Sequence, residues 1–354
     1  MGDHNDASAA LEEALQRAAA EDTPLDIVAG GSKSFLGRIT QSEPFDVSEH
    51  RGIVSYEPTE LVITARAGTP LTEIEALLAD GGQMLAFEPP HFGTAATLGG
   101  TVASALSGPR RPYAGAVRDF VLGIEMLSGE GRRLSFGGQV MKNVAGYDVS
   151  RLMVGAMGTL GVLLEISLKV LPLPVASTSL GFDMDAATAI EKMNAWAGKP
   201  LPLSGAYHAN NRLYVRLSGT AGGVAQAAER LGGEVVEDDG LWLALREHAL
   251  EHFGADLPLW RLSVPPATPP LALPGETLID WGGALRWLKS DADGDRIRAT
   301  ASDVGGHAML YRNTDRRGEV YHPLSSSLLK LHQRLKASFD PKGILNRGRM
   351  YADL

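Results

Sequence analysis

The run Pro90-His91-Phe92-Gly93-Thr94-Ala95-Ala96-Thr97-Leu98-Gly99-Gly100-Thr101-Val102-Ala103-Ser104-Ala105-Leu106-Ser107-Gly108 is built almost entirely from small residues. Thr94, Thr97 and Thr101 offer hydroxyls, and Gly93, Gly99 and Gly100 let the backbone come close to a ligand. Residues 101–106 can begin a short helix, and a helix start with bare amides attracts anions. A turn before an ordinary buried helix explains the same residues, so the run needs company before it means a binding site.

Two further glycine loops supply it. The β-like segment 25–29 leads into Gly30-Gly31-Ser32-Lys33-Ser34, whose amides, hydroxyls and ammonium can wrap phosphate oxygens. It lacks the spacing of a Walker A loop, and alone it is also a plain turn. Gly155-Ala156-Met157-Gly158-Thr159-Leu160-Gly161 looks like a dinucleotide fingerprint only superficially. In a Rossmann unit the glycines follow a strand and open a helix, whereas here they follow a helical pattern and open the strand 162–170. That order excludes a Rossmann NAD site.

With no cysteine in 354 residues, thiolate zinc sites, cysteine nucleophiles and cysteine-ligated iron–sulfur clusters are excluded, so redox chemistry needs an organic cofactor or a partner's metal. A formal charge of −9 with scattered basic residues argues against nucleic acid. His248 and His252 fall at helical spacing in 241–253, but no third ligand accompanies them; surface histidines and no metal are expected. The start Met1-Gly2-Asp3-His4-Asn5-Asp6 lacks a secretion signal, and no apolar run reaches the roughly 18 residues of a membrane span. A cytoplasmic chain is expected, with any membrane contact made through partners.

Periodicity gives a helix over 9–20 capped by Ser8, a hairpin of 52–57 with 61–67, a helix after Pro70, and a strand over 83–87. A strand at 120–127, a hairpin turn into 132–136 and a helix over 142–157 follow. Two prolines in Leu171-Pro172-Leu173-Pro174 mark a boundary. Beyond it come a βαββα order to residue 231, strands at 259–264, 277–281 and 307–312, and a helix over 295–304. A last helix, 325–339, has Leu328, Leu329, Leu331 and Leu335 available for burial, and a tail with Asn346 and two arginines ends the chain.

The glycine turns together resemble the vanillyl-alcohol-oxidase type of FAD fold, also called the PCMH type. More closely, the chain is similar to the FAD-binding subunits of glycolate oxidase (glycolate dehydrogenase). The closer match is carried by Lys142-Asn143-Val144-Ala145-Gly146-Tyr147-Asp148, residues 155–161, Trp260-Arg261-Leu262-Ser263-Val264-Pro265, residues 280–287, Gly305-Gly306-His307-Ala308 and residues 339–351. The resemblance implies an α+β fold: a two-subdomain FAD-binding part at 1–171, an α+β cap at 172–339, and a tail at 340–354 returning to the first part. It places the FAD pyrophosphate on Gly30, Gly31, Ser32, Lys33 and Ser34 and on Thr97, Gly99, Gly100, Thr101 and Ser104. Gly115, Arg118 and Asp119 would line the flavin side, Gly158, Thr159, Gly161 and Val162 would meet the ribityl and adenosine parts, and Asn346 would bring the tail against the ring. Where some relatives attach FAD through a histidine, this loop has none, so noncovalent FAD is expected. A bulky residue at Gly99 should then cost flavin binding before folding.

The reaction so implied is oxidation of glycolate or D-lactate to the 2-oxo acid. It requires a hydride acceptor, a cation for the carboxylate and a base for the hydroxyl proton. Arg261 and Arg286 are the cation candidates, with Arg312 behind them, and His307 is the base candidate. The implied partners are a second, larger FAD subunit and an iron–sulfur subunit. The other readings are an accessory flavin-carrying subunit without turnover of its own and, more distantly, a standalone FAD oxidase or reductase.

Overall fold

The computed structural model of the chain describes residues 5–138, 149–237 and 240–354. In the first half an antiparallel five-stranded sheet runs in the order Ile53–Glu57, Val62–Arg66, Val162–Lys169, Val121–Leu127, Arg133–Gly137. Its middle strand buries Val162, Leu164, Ile166 and Leu168 completely. Ile166 and Leu168 share a core with Leu71, Ile74 and Leu78 of the helix Leu71–Asp80, while Val162 and Leu164 pack with Leu11 and Leu15 of Ser8–Ala20. One strand with period-two burial thus holds two helices. The first helix begins one residue before expectation, and its Ser8 amide is capped by the Asp6 carboxylate at 3.0 Å.

A parallel pair, Leu25–Val28 with Glu43–Asp46, stands beside this sheet. The second strand left no sequence signal because Pro44 interrupts it and only Phe45 is buried. The strand expected at 83–87 is reduced to Gln83–Met84.

The second half folds onto an eight-stranded sheet in the order Glu234–Val236, Ala176–Asp183, Arg212–Gly219, Leu203–Ala209, Glu276–Asp280, Leu285–Lys289, Leu259–Ser263, His307–Arg312. The βαββα order holds, with helices Ala186–Ala197 and Ala221–Leu231. Leu285–Lys289 was missed although it pairs on both sides. All five of its residues are buried, so it has no alternation to read.

Three expectations change. The helix Leu241–Arg246 stops before His248, which takes a left-handed φ of 54°, so His248 and His252 do not share a helical face. Nor is His248 a surface residue: it stacks on Phe253 at 4.0 Å and meets Trp287 at 4.6 Å and Phe92 at 5.1 Å. On the final helix, Ser326–Phe339, Leu328 and Leu331 stay 48% and 51% exposed instead of being buried. The motif at 142–148 lies outside the described residues; of the helix expected there, Val149–Leu152 is observed.

Leu345 bridges Leu25 in parallel, with Leu25 N donating to Ile344 O at 2.7 Å and Asn346 N to Leu25 O at 2.8 Å. Between the halves, Glu88 accepts from Arg216 Nη2 at 2.7 Å, and Trp281 Nε1 donates to Gly108 O at 3.0 Å.

Candidate FAD site and its neighbouring cavity

The tail, the strand Leu25–Val28 and the run 95–104 enclose a cavity of about 200 Å³. Of the expected residues, Gly30, Gly31, Ser32, Lys33, Ser34, Thr97, Gly99, Gly100, Ser104, Gly158, Gly161 and Asn346 line it. Thr101 and Val162 are fully buried, Thr159 is buried, and none of these three is in the lining. Gly115, Arg118 and Asp119 are absent from it as well; Asp119 instead accepts the amide of Ala116 at 2.9 Å. Asp26, Met157 and Arg349 line the cavity and were not foreseen. Asp26 lies just before the loop 30–34 and Met157 within the loop 155–161, whereas Arg349 reaches the cavity only through the fold.

The run at 97–101 does not present bare amides. Its helix is Leu98–Ser104, starting three residues earlier than expected. Leu98 N donates to Thr69 O at 2.9 Å, Gly99 N to Ala67 O at 2.7 Å and Gly100 N to Thr97 Oγ1 at 3.3 Å. The run therefore forms a closely packed wall, and the anion-binding features lie opposite. Among the described residues the amides of Gly31, Ser32 and Lys33 have no partner, and a side chain at Gly31, with φ of 68°, would meet nothing within 4 Å. Around them stand Arg349, whose Nη2 donates to Ser34 O at 3.0 Å, Arg316, whose Nη1 donates to Ser34 O at 2.8 Å, and Arg38, whose Nε donates to Gly348 O at 3.1 Å. These guanidinia are satisfied by carbonyls and, among the described residues, none has a carboxylate in ion-pair contact. Their positive charge is left for an anion.

Lys33 adds to it. Its Nζ lies 3.4 Å from Ser32 Oγ and from His91 O, and burial pushes its ammonium down to about 8 despite Glu247 nearby. Asp26 is the opposite case: Oδ2 accepts from Thr40 at 2.6 Å, while Oδ1 is buried without a donor. Asn346 closes the end, its Oδ1 accepting from Ile27 N at 2.6 Å and its Nδ2 donating to Met157 O at 2.6 Å. Gly158 has no room for a side chain there, since a Cβ would sit 2.6 Å from Asn346 Nδ2.

The expected substrate residues are split by the second sheet. Arg286 pairs directly with Leu262, the neighbour of Arg261, so the two arginines point to opposite faces. Arg286 is buried, donates to Thr268 O at 2.7 Å, and is pushed down to about 10 by burial; its Nε and Nη1 have no partner. His307 pairs with Ser263 and shares the Arg261 face, but it is exposed on an edge strand with His322 at 6.4 Å. Arg261 instead faces a small cavity of about 20 Å³, with Asp280, Trp281, His248 and Tyr311. Its guanidinium lies 5.1 Å from the Trp281 ring, and Trp281 has a left-handed φ of 53°, a strained backbone for so bulky a residue. Arg312, the third cation candidate, is taken up by aromatic faces, 3.9 Å from Phe35 and 4.3 Å from Phe92.

A positive rim, free loop amides and a carboxylate lacking a donor are groups that complement a diphosphate and its flanking hydroxyls. The comparisons agree. A family model described as an FAD binding domain matches residues 6–137. Glycolate oxidase subunit GlcE of Escherichia coli (strain K12) is 53% identical over 349 residues, 99% of each chain. Shorter similarity links the chain to the D-lactate dehydrogenase of Anaerostipes hadrus, 32% identical over 43% of this chain and 30% of that one. Glycolate oxidase subunit GlcD of Bacillus subtilis (strain 168) is 34% identical over 36% and 27%. A solved alkyldihydroxyacetonephosphate synthase shares the fold, with a TM-score of 0.65 at 15% identity over 95% of this chain and 74% of the other. The chain is an FAD-binding protein of the PCMH-type fold. It belongs to the glycolate oxidase subunit GlcE family of FAD-dependent oxidoreductases.

Proposed function

We propose that this chain is the FAD-binding subunit of a complex that oxidises glycolate or D-lactate to the 2-oxo acid and passes the electrons on. The observation that carries the reading is the 53% identity to a glycolate oxidase subunit over 99% of the chain. We also propose the division into an FAD part at 1–171, a cap at 172–339 and a returning tail at 340–354, and partners comprising a larger FAD subunit and an iron–sulfur subunit. The complex would work in the cytoplasm, touching the membrane only through partners; among the described residues no helix is long and apolar enough to cross one.

The residues present suit FAD. Loop amides 31–33, Lys33 and Arg349 would hold the diphosphate, Asp26 Oδ1 would accept from a hydroxyl or amino group, and Thr97, Gly100 and Ser104 would form the wall behind. Bound there, FAD supplies an acceptor for the hydride of a 2-hydroxy acid. Nothing in the loop 30–34 can form a histidyl or cysteinyl link, so attachment is noncovalent. Arg261 would take the substrate carboxylate, having no other ion partner among the described residues.

Adding glycolate and D-lactate anaerobically to the purified chain tests this. Bleaching of the flavin supports turnover by this subunit. Bleaching only after partner subunits are added supports the accessory reading, and no bleaching with them sinks the proposal.

A further inference from the structure

The small cavity beside Arg261 holds a group with no evident structural task. Ser104 lines the FAD cavity, and residues 106–108 of the same segment line the second one, so the two neighbour each other along the chain. His248 also lines this second cavity. Its ring is fixed by Phe253, Trp287 and Phe92, and its Nδ1 is buried without any hydrogen-bond partner. A buried imidazole nitrogen left unpaired costs stability, and its left-handed backbone adds strain. Burial, with Arg312 and Arg261 near, holds its pKa well below the usual histidine range, so the ring is neutral at pH 7. Arg261 lines the same cavity, and its guanidinium has no ion-pair or hydrogen-bond partner among the described residues. The lining thus offers charged donors and a neutral ring nitrogen.

We propose that this cavity is a 2-hydroxy-carboxylate site in which Arg261 takes the carboxylate and His248 Nδ1 accepts the hydroxyl hydrogen. The proposal rests on the reading of the chain as a 2-hydroxy-acid oxidoreductase and gives this subunit a substrate site of its own. His307, exposed on the edge strand and outside the cavity lining, is not the acceptor. Asp280 does line the cavity, with its Oδ1 held by Trp281 N at 2.6 Å and its carboxyl pushed up to about 7 by burial, so the test below includes Asp280→Asn. At about 20 Å³ the cavity has room for little more than a water molecule. Its lining must part even for a two-carbon acid, which makes glycolate the fitting member of the class.

The test uses the FAD-loaded chain with its flavin chemically reduced, so that ligands bind without turnover, and compares glycolate with acetate by calorimetry. The parent should bind glycolate about five- to tenfold tighter than acetate, the difference being the hydroxyl bond. His248→Asn, which tolerates the left-handed backbone, should lose that preference and keep its acetate affinity. Arg261→Gln should weaken both acids about tenfold or more. Glycolate preference retained in His248→Asn, unchanged binding in Arg261→Gln, or a parent that binds neither acid would each overturn the site. Preference lost in Asp280→Asn and kept in His248→Asn would give the role to Asp280 and equally overturn it. Flavin content, measured alongside, is independent of these outcomes, so failure of this site and failure of the FAD reading are told apart.

Discussion

Single residues in the cleft carry consequences that can be measured. Lys33 is held down to about 8 by burial, and a diphosphate beside it would restore its proton. Proton uptake on binding means that FAD affinity falls as pH rises through 8 toward the holo value, by up to about tenfold per unit. Titrating FAD into the deflavinated chain from pH 7 to 9.5 should show this fall, and Lys33→Met should flatten it; a flat parent profile would exclude Lys33 from the anion site. Gly99 behaves differently from the sequence-based expectation. A Cβ there would lie 2.8 Å from Ala67 Cβ and 3.0 Å from Ala67 O, so the glycine serves helix-to-strand packing. Gly99→Val should lose about 1–3 kcal/mol of stability, with flavin content and melting temperature falling together. Melting unchanged with flavin lost would restore the earlier expectation.

At the scale of elements, the tail is the third wall of the cleft. Asn346 bonds Ile27 N and Met157 O, and Lys336 holds the same turn by donating to Leu345 O at 2.6 Å and Thr159 O at 2.8 Å. Asn346→Ala leaves two main-chain groups without partners and should cost about 2–4 kcal/mol, read by chemical denaturation, along with flavin retention. A variant as stable and as yellow as the parent would show that the tail is not a wall. Much of this level was legible in sequence. Strands that alternate, such as Val162–Lys169, and helices with clear stops, such as Leu71–Asp80, were placed to within a residue or two. Leu285–Lys289 was not, because burial on both faces erases period two, and the helix at 241 was drawn too long because its apolar residues run on past the break at His248. The glycine loops point to a phosphate site in the sequence alone, whereas Arg349 and the His248 cavity come in only through long-range packing.

Across the whole molecule the two sheets are joined by buried charge. Glu88 accepts from Arg110 N at 3.0 Å and Arg110 Nε at 3.2 Å, and both its oxygens from Arg216 Nη2 at 2.7 and 2.9 Å. Arg216 is buried on the second sheet and also donates to Ser204. Glu88→Gln removes the anion from between two cations and should destabilise by about 3–5 kcal/mol, with a lower unfolding midpoint; a midpoint unchanged within error would mean that the halves are held by other contacts. In the proposed arrangement one noncovalent FAD occupies the cleft formed by loop 30–34, the run 95–104 and the tail. The most direct measurement is the visible spectrum of the purified chain before and after acid precipitation. A yellow protein is expected, with its flavin released wholly into the supernatant as FAD. A colourless protein that cannot be loaded with FAD, or flavin that stays with the precipitate, would contradict it.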